Sequence, residues 1–160
     1  MQIEIIAVGR MKKGAEQDLV QRYSVRLAQS GMASGLQFLG IKETPESRAS
    51  SANLRMEEEG KKILNLMQKD SKLVLLDERG ENLSSVGFAK KISQEQGNNV
   101  RCLSFAIGGA DGHAEFLHNY ALWTLSLGRL TWPHQIVRIL LAEQLYRCAT
   151  ILNNHPYHRY

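Results

Sequence analysis

The residues best equipped for chemistry lie near the carboxyl end, where NHPYHRY brings His155, Tyr157 and His158 together around Pro156. Imidazole, phenol and guanidinium groups in so short a stretch suit base stacking, phosphate contact or proton handling on a nucleobase. The H-x-x-H spacing would seat two metal ligands, but no clear third ligand stands nearby, so no metal is expected. Pro156 and the two tyrosines favour a segment docked on the rest of the molecule, with an unstructured basic tail as the alternative. Upstream, Glu143 and Arg147 have the order and i,i+4 spacing of a helical ion pair, which is the simplest role for Arg147.

Three glycine-bearing stretches are the other candidates. IGGADG (107–112) would need glycine at position 107 to read as a G-x-G-x-x-G fingerprint, and Ile107 stands there; the turn also follows a late strand, so Rossmann-type dinucleotide binding is disfavoured. Gly108 and Gly109 still allow close approach of backbone to a ligand, while a tight turn without a ligand remains open. In GRMKKG, Gly9 and Gly14 have phosphate-loop spacing, but Ala15 and Glu16 replace the required Lys and Ser/Thr. Arg10, Lys12 and Lys13 there form a solvated basic face, or contact nucleic-acid phosphate. LGRLTW (127–132) runs into Pro133, which suits the first turn of a helix.

The elements that must position these residues alternate along the chain. A β-branched run from Ile3 to Val8 predicts a strand, and Leu19, Val20, Tyr23 and Leu27 recur at helical spacing after it. Residues 36–41 predict a second strand, and the polar KETPESRASSA (42–52) after it should be the longest exposed loop. Met56, Gly60, Ile63, Leu64 and Met67 line one face of a helix, with Glu57–Lys61 and Glu58–Lys62 as i,i+4 pairs. Residues 73–76 read as a buried strand, DERGEN as a turn, and Ser84 or Ser85 as the cap of a short helix carrying Phe88 and Ile92. A further strand over 100–107 leads into the glycine pair. The last helix runs to about Ile151, and Ile136, Val137, Leu140, Leu141, Leu145 and Tyr146 make its apolar face wide. Burial against both the sheet and a second subunit, or a fully interior position, would each explain that width.

Continuous apolar strands alternating with helices predict an α/β fold, a mostly parallel sheet with helices on both faces. Ligands then bind beyond the carboxyl ends of the strands, which singles out Leu76 with Asp77, the IGGADG turn and the 127–132 loop. The 160 residues, 43% of them hydrophobic, match one domain spanning 1–160, with no repeat or linker. Net charge is +4, basic enough to favour phosphate-rich partners without establishing one. Cys102 and Cys148 read as buried thiols of a reducing compartment, and no run approaches a membrane span or signal peptide. A soluble cytoplasmic protein is expected.

The combination of IGGADG, LGRLTWPHQIVRILLAEQLYR and NHPYHR, preceded by MQIEIIAVGRMKKG and VLLD, resembles the RlmH group of SPOUT methyltransferases over nearly the whole chain and in the same order. Those enzymes methylate N3 of a pseudouridine in large-subunit (23S) ribosomal RNA. The resemblance implies a trefoil-knotted α/β fold, S-adenosyl-L-methionine as cofactor, a homodimer and an assembled ribosome as partner. It implies cofactor contacts at Leu76, Gly108, Leu127, Gly128, Arg129, Leu130, Thr131 and Trp132. Trp132 departs from the Leu or Phe more frequent in the family, so the adenine pocket should be narrowed or stacked by the larger ring. Arg147, Tyr157 and His158 match the family's C-terminal residues; Arg147 is assigned to developing charge, and Tyr157 with His158 to base positioning or proton removal.

Physical reading alone would have chosen an unknotted doubly wound sheet. Two other functions compete. A non-catalytic ribosome- or RNA-binding protein explains the charge and tail but not the glycine turn. An enzyme acting on a small metabolite explains a pocket but not the tail.

Overall fold

In the computed structural model, which describes residues 1–158, the elements run β1 (Gln2–Val8), α1 (Ala15–Gly31), β2 (Gln37–Thr44), α2 (Ala52–Leu66), β3 (Lys72–Asn82), α3 (Ser85–Gly97), β4 (Cys102–Ile107), α4 (Glu115–Tyr120), β5 (Trp123–Ser126) and α5 (His134–Leu152). The strands form one sheet in the order β2-β1-β4-β3-β5, and every pairing is parallel. The expected α/β architecture is therefore present. No helix among the described residues is long and apolar enough to cross a membrane.

Alternation along β1 divides the core between two faces. Ile3, Ile5 and Ala7 pack with Leu27 of α1, Phe88 and Ile92 of α3, and Leu141 and Leu145 of α5. Ile6 and Val8 point the other way, to Ile63 of α2 and Leu117 of α4. Both faces are thus covered, which is why parallel strands read as unbroken apolar runs. Glu4 interrupts the run of β1 yet is 0% exposed. Its carboxylate lies 2.8 Å from the Lys42 ammonium and accepts hydrogen bonds from the Gln68 amide (2.7 Å) and the Ser104 hydroxyl (2.5 Å). Charge and hydrogen bonds together make the buried carboxylate tolerable.

Several local expectations change. Lys42, Glu43 and Thr44 continue β2, which shortens the supposed 42–52 loop to 45–51. That remainder is anchored: buried Ser47 donates its amide to Glu59 (2.8 Å) and its hydroxyl to Glu58 (2.5 Å). Lys62 donates to the Pro45 carbonyl at 3.4 Å, so the anticipated Glu58–Lys62 pair gives way to two tethers on this loop.

DERGEN, read as a turn, lies within β3. Leu125 pairs with Leu76 and again with Glu81, so 77–80 bulge out of the ladder before pairing resumes. Gly80 makes the return possible, since a Cβ there would lie 2.7 Å from the Leu125 carbonyl carbon and 2.8 Å from Thr124. Pro133 is the N-cap residue of α5 rather than part of its first turn, because its ψ of 139° is extended while its carbonyl already accepts from Val137 at 3.0 Å. Ser84 caps α3 as expected, accepting from the Gly87 amide at 3.0 Å.

Candidate functional site

The strand ends align in one row: Ala7 pairs with Ile107, Ile107 with Leu76, and Leu76 with Leu125. The segments leaving that row diverge around a cleft of about 920 Å³, at the carboxyl edge where open α/β sheets bind ligands. Seven of the eight positions expected to hold the cofactor line it: Leu76, Gly108, Leu127, Gly128, Leu130, Thr131 and Trp132. Arg129 does not line it. Its side chain is exposed, as Gly128 turns the chain at a φ of 111°.

That turn is stabilised locally. The Ser126 hydroxyl donates to the Gly128 carbonyl (3.0 Å) and accepts from the Gly128 amide (3.1 Å). Beyond it, Leu130 is 70% exposed and Trp132 is also exposed, giving the cleft an apolar rim. Apolar side chains beside backbone polar groups fit a nucleoside with a thioether or sulfonium arm, and the cleft volume is in the range for such ligands.

The opposite wall carries Asp77 and the 107–112 turn, braced by three residues that sequence reasoning missed, Arg55, Glu59 and His113, of which His113 lines the cleft itself. Arg55 of α2 grips Asp111 through two hydrogen bonds of 2.7 and 3.1 Å. Buried Glu59 lies behind Gly109, where any Cβ would collide with its carboxylate. His113 lies under the strand ends, its Nε2 3.1 Å from the Leu76 carbonyl. Burial first, and His118 second, lower its pKa from 6.5 to about 4 despite opposing contributions from the Leu76 carbonyl and Asp77. The ring is neutral near pH 7 and Nε2 carries the proton, since a carbonyl can only accept. Asp77 is held by Arg79 through bonds of 3.0 Å from both Nε and a terminal nitrogen, lowering its pKa to about 2. Glu59 stands three residues after Met56 and four before Ile63, so helical spacing placed it on the buried face.

The three residues expected to act on the substrate form a separate cluster on α5 and the segment after it. Glu143 Oε1 accepts from Arg147 Nε (3.0 Å), Arg147 Nη2 (2.5 Å) and the Tyr157 hydroxyl (3.1 Å). The guanidinium lies 4.9 Å from the Tyr157 ring centroid, and that ring packs 4.6 Å from Tyr146. Arg147 Nη1 lies 3.5 Å from His158 Nδ1. The tail is thus docked through residue 158. Burial and the Glu143 carboxylate raise the Tyr157 pKa, so the phenol keeps its proton near neutrality. Within one chain, none of Arg147, Tyr157 and His158 lines the cleft.

Arg138, also missed, ties α5 to the sheet. It is 2% exposed and donates to the carbonyls of Val8 (2.8 Å) and Gly9 (2.7 Å) and to Glu43 (2.6 Å). Cys102 and Cys148 are buried free thiols, as expected, and burial pushes Cys148 up to about 12.

Comparison with known proteins agrees with this arrangement. A family model described as "Predicted SPOUT methyltransferase" matches residues 1–158. The chain is 54% identical over 160 residues to the ribosomal RNA large subunit methyltransferase H of Bartonella bacilliformis, covering 100% of both chains. It is 52% identical to that of Bartonella tribocorum, again over 100% of both, and 51% identical to that of Brucella anthropi over 99% of each. A match of this length and identity, on a parallel sheet with its cleft at the strand ends, shows that the chain belongs to the SPOUT methyltransferase family, in its ribosomal RNA large subunit methyltransferase H group.

Proposed function

We propose that residues 1–160 act as one methyltransferase domain, as a homodimer in the cytoplasm, transferring a methyl group from S-adenosyl-L-methionine to N3 of a pseudouridine in large-subunit ribosomal RNA of assembled ribosomes. The observation that carries this reading is the cleft at the level of Leu76, Ile107 and Leu125, with seven expected cofactor positions on its walls. S-adenosyl-L-methionine, when bound, supplies an electrophilic methyl group on sulfur. Leu76, Gly108 and the 127–132 loop hold it and exclude water. Arg129, outside the cleft wall here, belongs to this group only if the loop rearranges when ligand binds.

Methylation at N3 forms an N–C bond, breaks an S–C bond and releases the imide proton. Tyr157, already protonated and donating to Glu143, positions the base. Arg147 stabilises the charge that develops on the deprotonating ring. His158 accepts the proton. Because these residues do not line the cleft of their own chain, we assign them to the cleft of a partner copy. The half-buried Ile136, Ile139 and Leu140 on α5 support such pairing, since a second subunit would cover them.

The trefoil knot belongs to the same proposal. The 77–80 excursion pressed onto β5 and the reach of α5 back to β1 through Arg138 support it.

The test is mass spectrometry of ribosomal RNA after incubating large subunits, taken from cells lacking the activity, with the protein and isotopically labelled cofactor. A single labelled pseudouridine, with little labelling of protein-free RNA, is expected. Equal labelling of naked RNA would contradict recognition at the ribosome, and calorimetry showing no cofactor binding would leave the non-catalytic RNA-binding reading.

A further inference from the structure

Leu76 and Gly108 come from different strands, and the proposed function needs both at fixed positions on one cleft. In the sheet, Leu76 is registered with Ile107, so Asp77 and Gly108 are the first residues beyond the last rung between β3 and β4. Strand pairing ceases there, and something else must hold the two ends together.

His113 occupies that junction. Its Nε2–H donates to the Leu76 carbonyl at 3.1 Å. On the other side, a Cβ on Gly108 would lie 3.0 Å from His113 Cε1 and 2.9 Å from the Gly112 carbonyl oxygen. The ring therefore packs directly against the only side of residue 108 where a side chain would project, and position 108 accepts glycine alone. His113 is 7% exposed, and its Nδ1 has no hydrogen-bond partner. A leucine would fill this space at lower desolvation cost. An imidazole here retains one function that an apolar side chain lacks, a donor aimed at Leu76.

The turn carrying Gly108 is fixed at its far end as well. Gly109 and Gly112 form an isolated antiparallel bridge, with the Gly112 amide donating to Gly109 at 3.0 Å. Arg55 holds Asp111 from α2. His113 follows immediately and returns the chain to β3. A displacement of the Leu76 carbonyl is thus transmitted to Gly108 through one rigid ring.

We infer that His113 is a positioning residue of the cofactor cleft, fixing the Leu76 carbonyl and the Gly108 backbone relative to one another. The inference rests on the assignment of this cleft to S-adenosyl-L-methionine. It predicts an effect on binding that side-chain bulk alone cannot restore.

The test is calorimetric titration of S-adenosyl-L-homocysteine into full-length protein carrying His113→Leu, which keeps bulk without the donor, and His113→Gln, which keeps an N–H donor. Binding about tenfold or more weaker for leucine and within about threefold of wild type for glutamine is expected. In steady-state assays on large subunits, leucine should raise KM for the cofactor more than it lowers kcat. Equal affinity of the leucine variant and the wild type would overturn the inference. If His113→Leu does not fold, His113→Asn against His113→Gln decides: weaker binding by the shorter asparagine supports the role, and equal binding overturns it. Failure of the wild type to bind would instead overturn the cofactor assignment on which this role depends.

Discussion

Tyr157 of the docked tail and Arg147 of α5 bind the same oxygen, Oε1 of Glu143. One carboxylate therefore sets the position of the phenol and the guanidinium together. Glu143→Ala should lower turnover about 10- to 100-fold through misplacement of both groups, while S-adenosyl-L-homocysteine affinity changes less than threefold. Parallel single-turnover kinetics and calorimetry check this, and a matching loss of affinity would place Glu143 in the cofactor cleft instead.

His158→Ala should reduce single-turnover methylation of large subunits about 100-fold or more, the range for loss of a general base, with a smaller effect on cofactor affinity. If rate and affinity fall in step, the histidine supports the fold of the tail and takes no proton.

Stability should depend on pH through His113. An unfolded histidine titrates near 6.5, whereas His113 in the fold titrates near 4. Between those values the unfolded chain holds more protons, so stability is full above pH 6.5 and falls as the pH drops toward 4. The loss is roughly 3 kcal/mol over that window. The neighbouring groups that tune it are His118 on α4 and Asp77 on β3. Urea titrations at intervals from pH 7 to pH 4 should show this slope for wild type and a shallower one for His113→Gln.

Arg138→Ala should destabilise the chain by about 3 kcal/mol, because it strips partners from two carbonyls and removes the charge opposite Glu43. Chemical denaturation reads the change directly. A loss under about 1 kcal/mol would mean that water takes over those carbonyls.

Gly80→Ala introduces a methyl group against the backbone of Thr124 and Leu125. Overpacking of this kind costs about 1–3 kcal/mol. Since β5 leads straight into the 127–132 loop, cofactor affinity should fall together with stability. A variant as stable as wild type would show that the 77–80 segment can lift off β5.

Apolar runs and periodicity located β1 to β4, α1 and the extent of α5, because burial on two faces leaves an unbroken signature in residue type, whereas the short α4 and the four-residue β5 left too few residues to show a period. It could not identify Glu4, Glu59, His113 or Arg138 as interior, since their side chains ordinarily mark a surface and only their partners, in other elements, make burial tolerable. Met56, Glu59 and Ile63 show that spacing held part of this information. Strand-end reasoning found Leu76, Gly108 and most of the 127–132 loop, whereas the outward turn at Arg129 follows from the left-handed backbone of Gly128. Nor does linear order reveal distance: the 127–132 loop and the tail are joined by one 19-residue helix, and the tail folds back along it to reach Glu143 without lining the cleft beside the loop. The DERGEN segment looked like a turn because its composition is polar, while a single glycine returned it to the ladder.

Arg138 also bears on synthesis. The carbonyls of Val8 and Gly9 find their guanidinium partner about 130 residues later in the chain, and β1 obtains its second neighbour only when β4 has been made. The first strand to leave the ribosome is therefore among the last to be completed. A nascent chain stalled before α5 would leave the Val8 and Gly9 carbonyls at the end of β1 without their guanidinium partner, so the last ordering step of this fold falls at the end of translation.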